Sequence, residues 1–253
     1  MSLRKSEEPN GEEPKATSDV PLMPEDKLFA YNIIELQSAA AKVLSQTAAF
    51  KHHDSFRRMG EKSYSDMMLK RAYNTEVGSC TVDPETVGLV EKAVQGRNVL
   101  SFAAGSGALE ACLASKGVKV ICTDKKPPQR PYLPVHRLEN SDAVKAFREI
   151  CPAALIVWPV WIPNSKQCPT YQALLLGNFE TVVYIGEDHG VTGSKQLERF
   201  FEVNYDKTKE EPLDTQPGHS DILRVFQRKT SQVVAVEIQA PSDDDGDDSD
   251  DDW

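Results

Sequence analysis

The chain has 253 residues, 40% of them hydrophobic, and a formal net charge of −10. That is enough for one globular domain of ordinary size with tails. No apolar run reaches the roughly 18 residues that a membrane-spanning helix needs, and the acidic balance excludes a domain that is basic as a whole.

Residues 1–24 carry no apolar segment of signal-peptide type and offer almost nothing to bury, so they read as a disordered tail. The five cysteines (Cys80, Cys112, Cys122, Cys151 and Cys168) are odd in number and show no C-x-x-C spacing. Buried thiols in a reducing compartment fit better than disulfides or zinc, which places the protein in the cytoplasm or nucleus. From Glu25 to Phe50 the apolar positions Leu28, Ile33, Leu36, Ala40, Val43, Leu44 and Ala48 predict one amphipathic helix. A basic stretch follows, Lys51 to Arg71, interleaved with Phe56, Tyr64, Met67 and Met68. It could touch nucleic acid, but a solvated helix face suits an acidic protein better. His52 and His53 are adjacent and cannot share a helical face as ligands, so no metal site is read there. Asp83-Pro84 forms an N-cap and first helical position ahead of Val87, Leu89, Val90 and Val94.

The segment Asn98 to Asp124 reads as a βαβ unit. Val99 to Phe102 make a strand and Ala103 to Gly107 a small-residue turn. Leu109, Cys112 and Leu113 mark a helix that Gly117 stops, and Val118 to Cys122 make a second strand closed by Asp124. Gly105 and Gly107 let a ligand approach the backbone, and the helix behind them directs unpaired N–H groups toward it. Asp124 stands where an acid can accept both hydroxyls of a ribose. A nucleoside-containing cofactor follows, although a G-x-G after a strand can also serve packing alone. A dinucleotide fingerprint requires a third glycine where this chain has Glu110.

Beyond Asp124, Lys125 to Pro134 is proline-rich and has no helical period. Val135 to Leu138 predict a third strand, and Ser141 or Asp142 could cap a helix from Ala143 to Ile150. Ala153 to Trp158 is a buried strand that ends in Trp158-Pro159-Val160-Trp161. Trp158 and Trp161, with Pro159 between them, are candidate walls of a substrate pocket, with core packing as the alternative. A helix around Tyr171 to Leu176 precedes a fifth strand, Thr181 to Gly186. Ligands of open α/β sheets bind beyond the carboxyl ends of the strands, so Glu187 and His189 are candidates for proton removal or substrate orientation, or simply for folding their loop. Lys195 to Val203 predict a helix, a Pro-, Asp- and Gly-containing connection follows, and Asp221 to Arg228 alternate as a strand does. Gln232 to Ile238 are a candidate added edge strand. The last segment holds eight aspartates between Asp243 and Asp252, which account for eight of the ten net negative charges. Self-repulsion keeps such a tail extended.

The strand, glycine-rich turn and ribose-binding acid of Val99 to Asp124 resemble motif I of the class I S-adenosylmethionine-dependent methyltransferases. The whole set of motifs from about Val82 to Lys229 is similar to an uncharacterised methyltransferase-like family. The resemblance implies a Rossmann-like α/β fold, a mostly parallel seven-stranded sheet that ends in an antiparallel strand pair. It divides the chain into a tail (1–24), a helical N-terminal extension (25–79), the α/β domain (80–238) and a disordered acidic tail (239–253). It implies S-adenosylmethionine as cofactor and no metal. Ser101, Ala103, Gly105, Gly107, Asp124 and Trp158 would contact the cofactor, with Ser141 or Asp142 at the adenine. Pro159 and Trp161 would face the substrate, with Glu187 and His189 as catalytic groups. That family usually has an acid at the position of Ser101, a glycine at Ala103, and a polar residue with a second proline at Trp158 and Val160. Two functions follow: methyl transfer to an acceptor that is a protein, an RNA or a small molecule, or a methyltransferase fold that has become a binding protein. An NAD(P) oxidoreductase is a third and minor reading. The acidic tail, Asp243 to Trp253, is a candidate docking segment for a basic protein partner.

Overall fold

The computed structural model describes residues 24–51, 64–160, 162, 168–187, 192–213, 220–230 and 234–236. The apolar runs assemble into one sheet of β1 (Val99–Phe102), β2 (Val120–Asp124), β3 (Val135–Arg137), β4 (Ala153–Val157), β5 (Thr181–Gly186), β6 (Tyr205–Pro212) and β7 (Ile222–Arg228). Its order is β3-β2-β1-β4-β5-β7-β6. Strands β1 to β5 pair in parallel, and β7 joins β5 and β6 antiparallel. This is a Rossmann-like α/β architecture, a mostly parallel seven-stranded sheet with an antiparallel C-terminal pair, as expected from the sequence.

Alternation along the strands builds two cores, because successive side chains leave a strand on opposite faces. Val99, Val120, Cys122, Ala153, Leu155, Val183 and Ile185 enter one cluster. Leu100, Phe102, Ile121, Ala154, Ile156, Val182 and Tyr184 enter the other. The central strands are apolar on both faces, as a parallel sheet covered on both sides requires.

The first core is closed by α2 (Ile33–Lys51), α3 (Tyr64–Glu76), α4 (Pro84–Val94) and α5 (Ala108–Ser115). Leu36, Ala40, Val43, Thr47 and Phe50 form the buried stripe of α2. Tyr73 on α3 stacks on Phe50 with centroids 4.2 Å apart, and its hydroxyl bonds Thr47 Oγ1 at 2.9 Å. The helical extension thus shares its core with the sheet. Asp83 caps α4, its Oδ1 accepting the Thr86 N–H at 2.8 Å.

The second core lies under α6 (Asn140–Phe147), α7 (Pro169–Gly177) and α8 (Lys195–Asn204). It is rich in aromatic rings, with Phe201 stacked on Phe226 at 4.1 Å and edge-on to Tyr205 and Tyr184.

Several boundaries differ from those read in the sequence. The expected helix Glu25 to Phe50 breaks after α1 (Glu25–Leu28). Tyr31 lies in the break and donates to the Val120 carbonyl at 2.5 Å, an anchor that a continuous helix would not offer. The second strand begins at Val120 rather than Val118, and α6 starts at Asn140. Neither Ser141 nor Asp142 caps α6: Glu139 is its N-cap residue, without a side-chain bond. Strand β6, YDKTKEEP, lies within the expected connection after α8; its charges are those of a solvated edge strand, exposed or half-exposed after Tyr205. Residues 234–236 form no strand. The Asn204 side chain on α8 instead holds both backbone groups of Val234, donating to its carbonyl at 2.9 Å and accepting its N–H at 2.5 Å. The basic segment between α2 and α3 and the acidic tail lie outside the described residues.

Candidate active site

The sheet order reverses between β1 and β4, which leave in opposite directions along the sheet. Such a switch point opens a crevice at the carboxyl ends of the strands. The turn after β1 lies here. Ala104 N–H bonds the Thr123 carbonyl at 3.0 Å and Gly107 N–H the Ala104 carbonyl at 2.9 Å, so the turn is stitched to β2 and to itself. Ala103, Gly105 and Gly107 take positive φ of 51°, 56° and 68°.

A cavity of about 270 Å3 opens beside this turn. Ala103 to Ser106 form one wall, Val157 and Trp158 after β4 another, and Asn74 to Cys80 a third. Glu110 on α5 also lines it, with Lys126 and Pro128 at the rim. A second cavity of about 830 Å3, between α2 and the Pro128–Tyr132 connection, shares Thr75, Ser106 and Pro128 with the first. The smaller cavity alone falls just under the ~300 Å3 at which small-molecule sites begin, and the pair exceeds it.

Of the residues singled out in the sequence, Ala103, Gly105 and Trp158 meet at this cavity. A side chain at Gly105 would meet no atom within 4 Å, so the backbone there faces open space. Gly107 is covered instead: Leu133 Cβ would lie 3.4 Å from its added Cβ, and Tyr132 N–H bonds the Ser106 carbonyl at 2.7 Å. Asp124 joins the turn rather than facing away from it. Its Oδ2 accepts Gly105 N–H at 3.0 Å and its Oδ1 accepts Lys126 N–H at 2.7 Å. Each oxygen keeps a lone pair for a further donor.

Ser101 is fully buried beneath the cavity and donates to Glu110 Oε1 at 2.6 Å. Ser141 and Asp142 sit half-buried on α6, away from the cavity walls, with Asp142 Oδ1 paired to Lys145. Pro159 is buried, and its carbonyl accepts Gly193 N–H at 3.0 Å, so it braces the loop before α8. Glu187 lines a separate cavity of about 700 Å3 over α8, β6 and β7. Its Oε1 accepts Ser220 N–H at 2.6 Å, and its backbone is closed onto Thr192. Glu187 thus lines a cavity other than the one beside the glycine turn, on the side of the antiparallel pair. His189 and Trp161 lie outside the described residues.

Two residues at the cavity, and a third that holds Trp158 from behind it, escaped the sequence reading. Glu110 is 3% exposed, and burial raises its carboxyl pKa above the ordinary 4.5. A lone carboxylate in the otherwise apolar helix ALEACLAS was the available signal. Asn74 Oδ1 is buried and accepts no hydrogen bond among the described residues. Nothing in the polar pattern of α3 marked it. Asp221, 1% exposed, accepts the Trp158 indole N–H at 2.7 Å. That bond holds Trp158, whose φ of +49° is unusual for a large side chain, against the cavity. Cys80 also lines the wall, and burial pushes its thiol far above the usual range, so it offers no thiolate. Among the described residues no group of three His, Cys, Asp or Glu could hold a metal, and no helix is long and apolar enough to cross a membrane.

No protein-family profile and no curated protein matches the sequence. Solved structures with a similar course of chain include magnesium protoporphyrin IX methyltransferase from Synechocystis, solved with bound SAM. It is 10% identical, with 76% of this chain and 97% of that chain covered and a TM-score of 0.40. An rRNA methylase from Streptococcus thermophilus is 13% identical over 57% and 94%, with a TM-score of 0.37. Protein 1320 from Thermoplasma acidophilum is 12% identical over 64% and 98%, at 0.39. The strand order, not these distant likenesses, carries the fold.

Proposed function

We propose that this protein is an S-adenosylmethionine-dependent methyltransferase that binds its cofactor in the cavity between the glycine turn and Trp158. The observation that carries the reading is the coincidence of three things: the β1/β4 switch point, a backbone open at Gly105, and a cavity that continues past Ser106. A dinucleotide suits the same place poorly. Its pyrophosphate would have to approach the first turn of α5, where Glu110 already presents a buried carboxyl. A cofactor that carries positive charge and no phosphate has no such conflict.

The residues support this assignment in distinct ways. Gly105 would admit the adenosyl group to the backbone, and Asp124, braced by two N–H groups, would offer its remaining lone pairs to the ribose. Trp158, fixed by Asp221, would wall the acceptor side. Bound there, the cofactor supplies a methyl group on a sulfonium, ready for in-line transfer. Catalysis by the chain is then mainly positioning, with a dry wall and an oriented acceptor.

A second reading is favoured by two observations. Leu133 is seated on Gly107, and Asp124 already binds two backbone N–H groups, so the same fold could persist as a binding protein that acts through its acidic tail. Calorimetric titration with S-adenosylmethionine and S-adenosylhomocysteine separates the two. Binding of either supports the methyltransferase; folded protein that binds neither selects the second reading.

A further inference from the structure

Three consecutive buried residues of the loop before α8 have separate tasks. Thr192 closes the loop onto β5. It is 3% exposed, and its hydroxyl donates to the Glu187 carbonyl at 2.9 Å while accepting the Glu187 N–H at 3.1 Å. A hydroxyl has one hydrogen to give, so the third contact, with the Tyr184 hydroxyl at 2.8 Å, is a bond that the tyrosine donates. Gly193 reaches across to the turn after β4. Its N–H bonds the Pro159 carbonyl at 3.0 Å, and its carbonyl accepts the Ile162 N–H at 2.9 Å. Ser194 caps α8, its Oγ accepting the Leu197 N–H at 3.1 Å.

The turn that Gly193 clips begins at Trp158. A φ of +49° sets this large residue in the left-handed region, a strain that persists only where the surroundings over-determine it. The Trp158 N–H bonds the Ile185 carbonyl at 2.8 Å, and its indole N–H bonds Asp221. Those two bonds hold its backbone and the tip of its ring, and neither holds the chain that leaves it. The clip on Pro159, the next residue, does.

We infer that Thr192 and Gly193 are positioning residues that keep Trp158 in place as a fixed wall of the glycine-turn cavity. Gly193 acts by clipping the turn after β4, and Thr192 by fixing the loop that carries Gly193. What the wall encloses rests on the cofactor reading above. Neither residue lines that cavity, so each acts on it through Trp158. The turn after β4 is thereby a rigid side of the site and not a lid.

The test follows hydrogen exchange of the Trp158 indole N–H by NMR in the full chain, its resonance being the one that Trp158→Phe removes. The same variants are titrated with S-adenosylmethionine by calorimetry. Thr192→Val keeps the side-chain shape and removes the hydroxyl. It is expected to speed the indole exchange by about tenfold or more and to weaken S-adenosylmethionine by about three- to thirtyfold. Thr192→Ser restores the hydroxyl, and both readings should return to within about threefold of the unaltered protein. Ser194→Ala removes the neighbouring helix cap and leaves the clip alone, so it lowers stability with both readings again within about threefold. That variant separates positioning from a general loss of stability. Gly193→Ala attacks the clip itself, with φ of +80° and an added Cβ 3.1 Å from Leu197 Cδ2, and should act as Thr192→Val does. This arm stands even if Thr192→Val does not fold. Unchanged indole exchange in Thr192→Val, or in Gly193→Ala where the first does not fold, overturns the inference, and so does equal acceleration in Ser194→Ala. Faster exchange with unchanged affinity also overturns it, by removing Trp158 from the wall of the cofactor site. Failure of the unaltered protein to bind S-adenosylmethionine overturns the cofactor reading, while the exchange measurements still decide whether the clip holds Trp158.

Discussion

Two glycines of the same turn should respond to the same substitution alike in stability and differently in ligand binding. Gly105 and Gly107 have φ of +56° and +68°, where an alanine costs about 1–2 kcal/mol relative to glycine. The neighbours differ. At Gly107 the new methyl would touch Leu133 Cβ at 3.4 Å and Val135 Cγ2 at 3.5 Å, ordinary contacts that leave the ligand side unchanged. At Gly105 it would meet nothing of the protein within 4 Å and would project into the space assigned to the cofactor. Both variants should therefore lose about 1–2 kcal/mol in urea unfolding. Gly105→Ala should in addition lose about 1–3 kcal/mol of binding, roughly ten- to a hundredfold in Kd, which is the usual cost of forcing a methyl into an occupied site. Gly107→Ala should bind within about threefold of the unaltered protein, the scale on which surface changes act. Calorimetric titration with S-adenosylmethionine reads the difference. If Gly105→Ala binds as well as the original, or if Gly107→Ala is hit as hard, the cavity is not where the cofactor sits.

Three further outcomes are expected. Asp221→Ala removes the acceptor of the Trp158 indole, so near-ultraviolet circular dichroism should lose tryptophan fine structure and stability should fall by about 1–3 kcal/mol; an unchanged spectrum would release Trp158 from its assigned orientation. Asn204→Ala breaks both bonds to Val234, and amide exchange at Val234 should accelerate together with a loss of about 2 kcal/mol; exchange that stays slow would place its protection elsewhere. Glu110 has a folded-state pKa raised by burial above 4.5, so its contribution to stability is present below that value and is lost as pH rises through the folded pKa. The Tm of Glu110→Gln relative to the unaltered chain should accordingly rise from pH 4 to neutrality; a constant difference would mean that the carboxyl is not buried in solution.

Local chemistry alone gave the strands and helices with strong periods. Thr181 to Gly186 is apolar throughout and belongs to a strand whichever way the sheet is wound. Asp83-Pro84 starts a helix from its own side chain and ring geometry. The same holds for the turn at Gly105, because positive φ is a property of that residue and its immediate neighbours. Strand β6 lacks any such signal: its residues are charged because they face water, and only the ladder to β7 makes them a strand.

What surrounds the turn was decided by tertiary structure. Whether a glycine is open or covered depends on where Leu133 arrives, through a proline-rich connection with no period to read. The use of Asp124 depends on backbone N–H groups brought back by two separate turns. Glu110 becomes a cavity carboxyl only because α5 turns that face under β1, and Asp221, 63 residues from Trp158, meets it only because β7 is inserted beside β5. Sequence periodicity reports how each segment meets its own core, whereas a site is made by groups from segments that share no period. The sequence therefore determined the layers of this protein and the place of its glycine turn, and the folded chain alone determined which side chains face the space beside it.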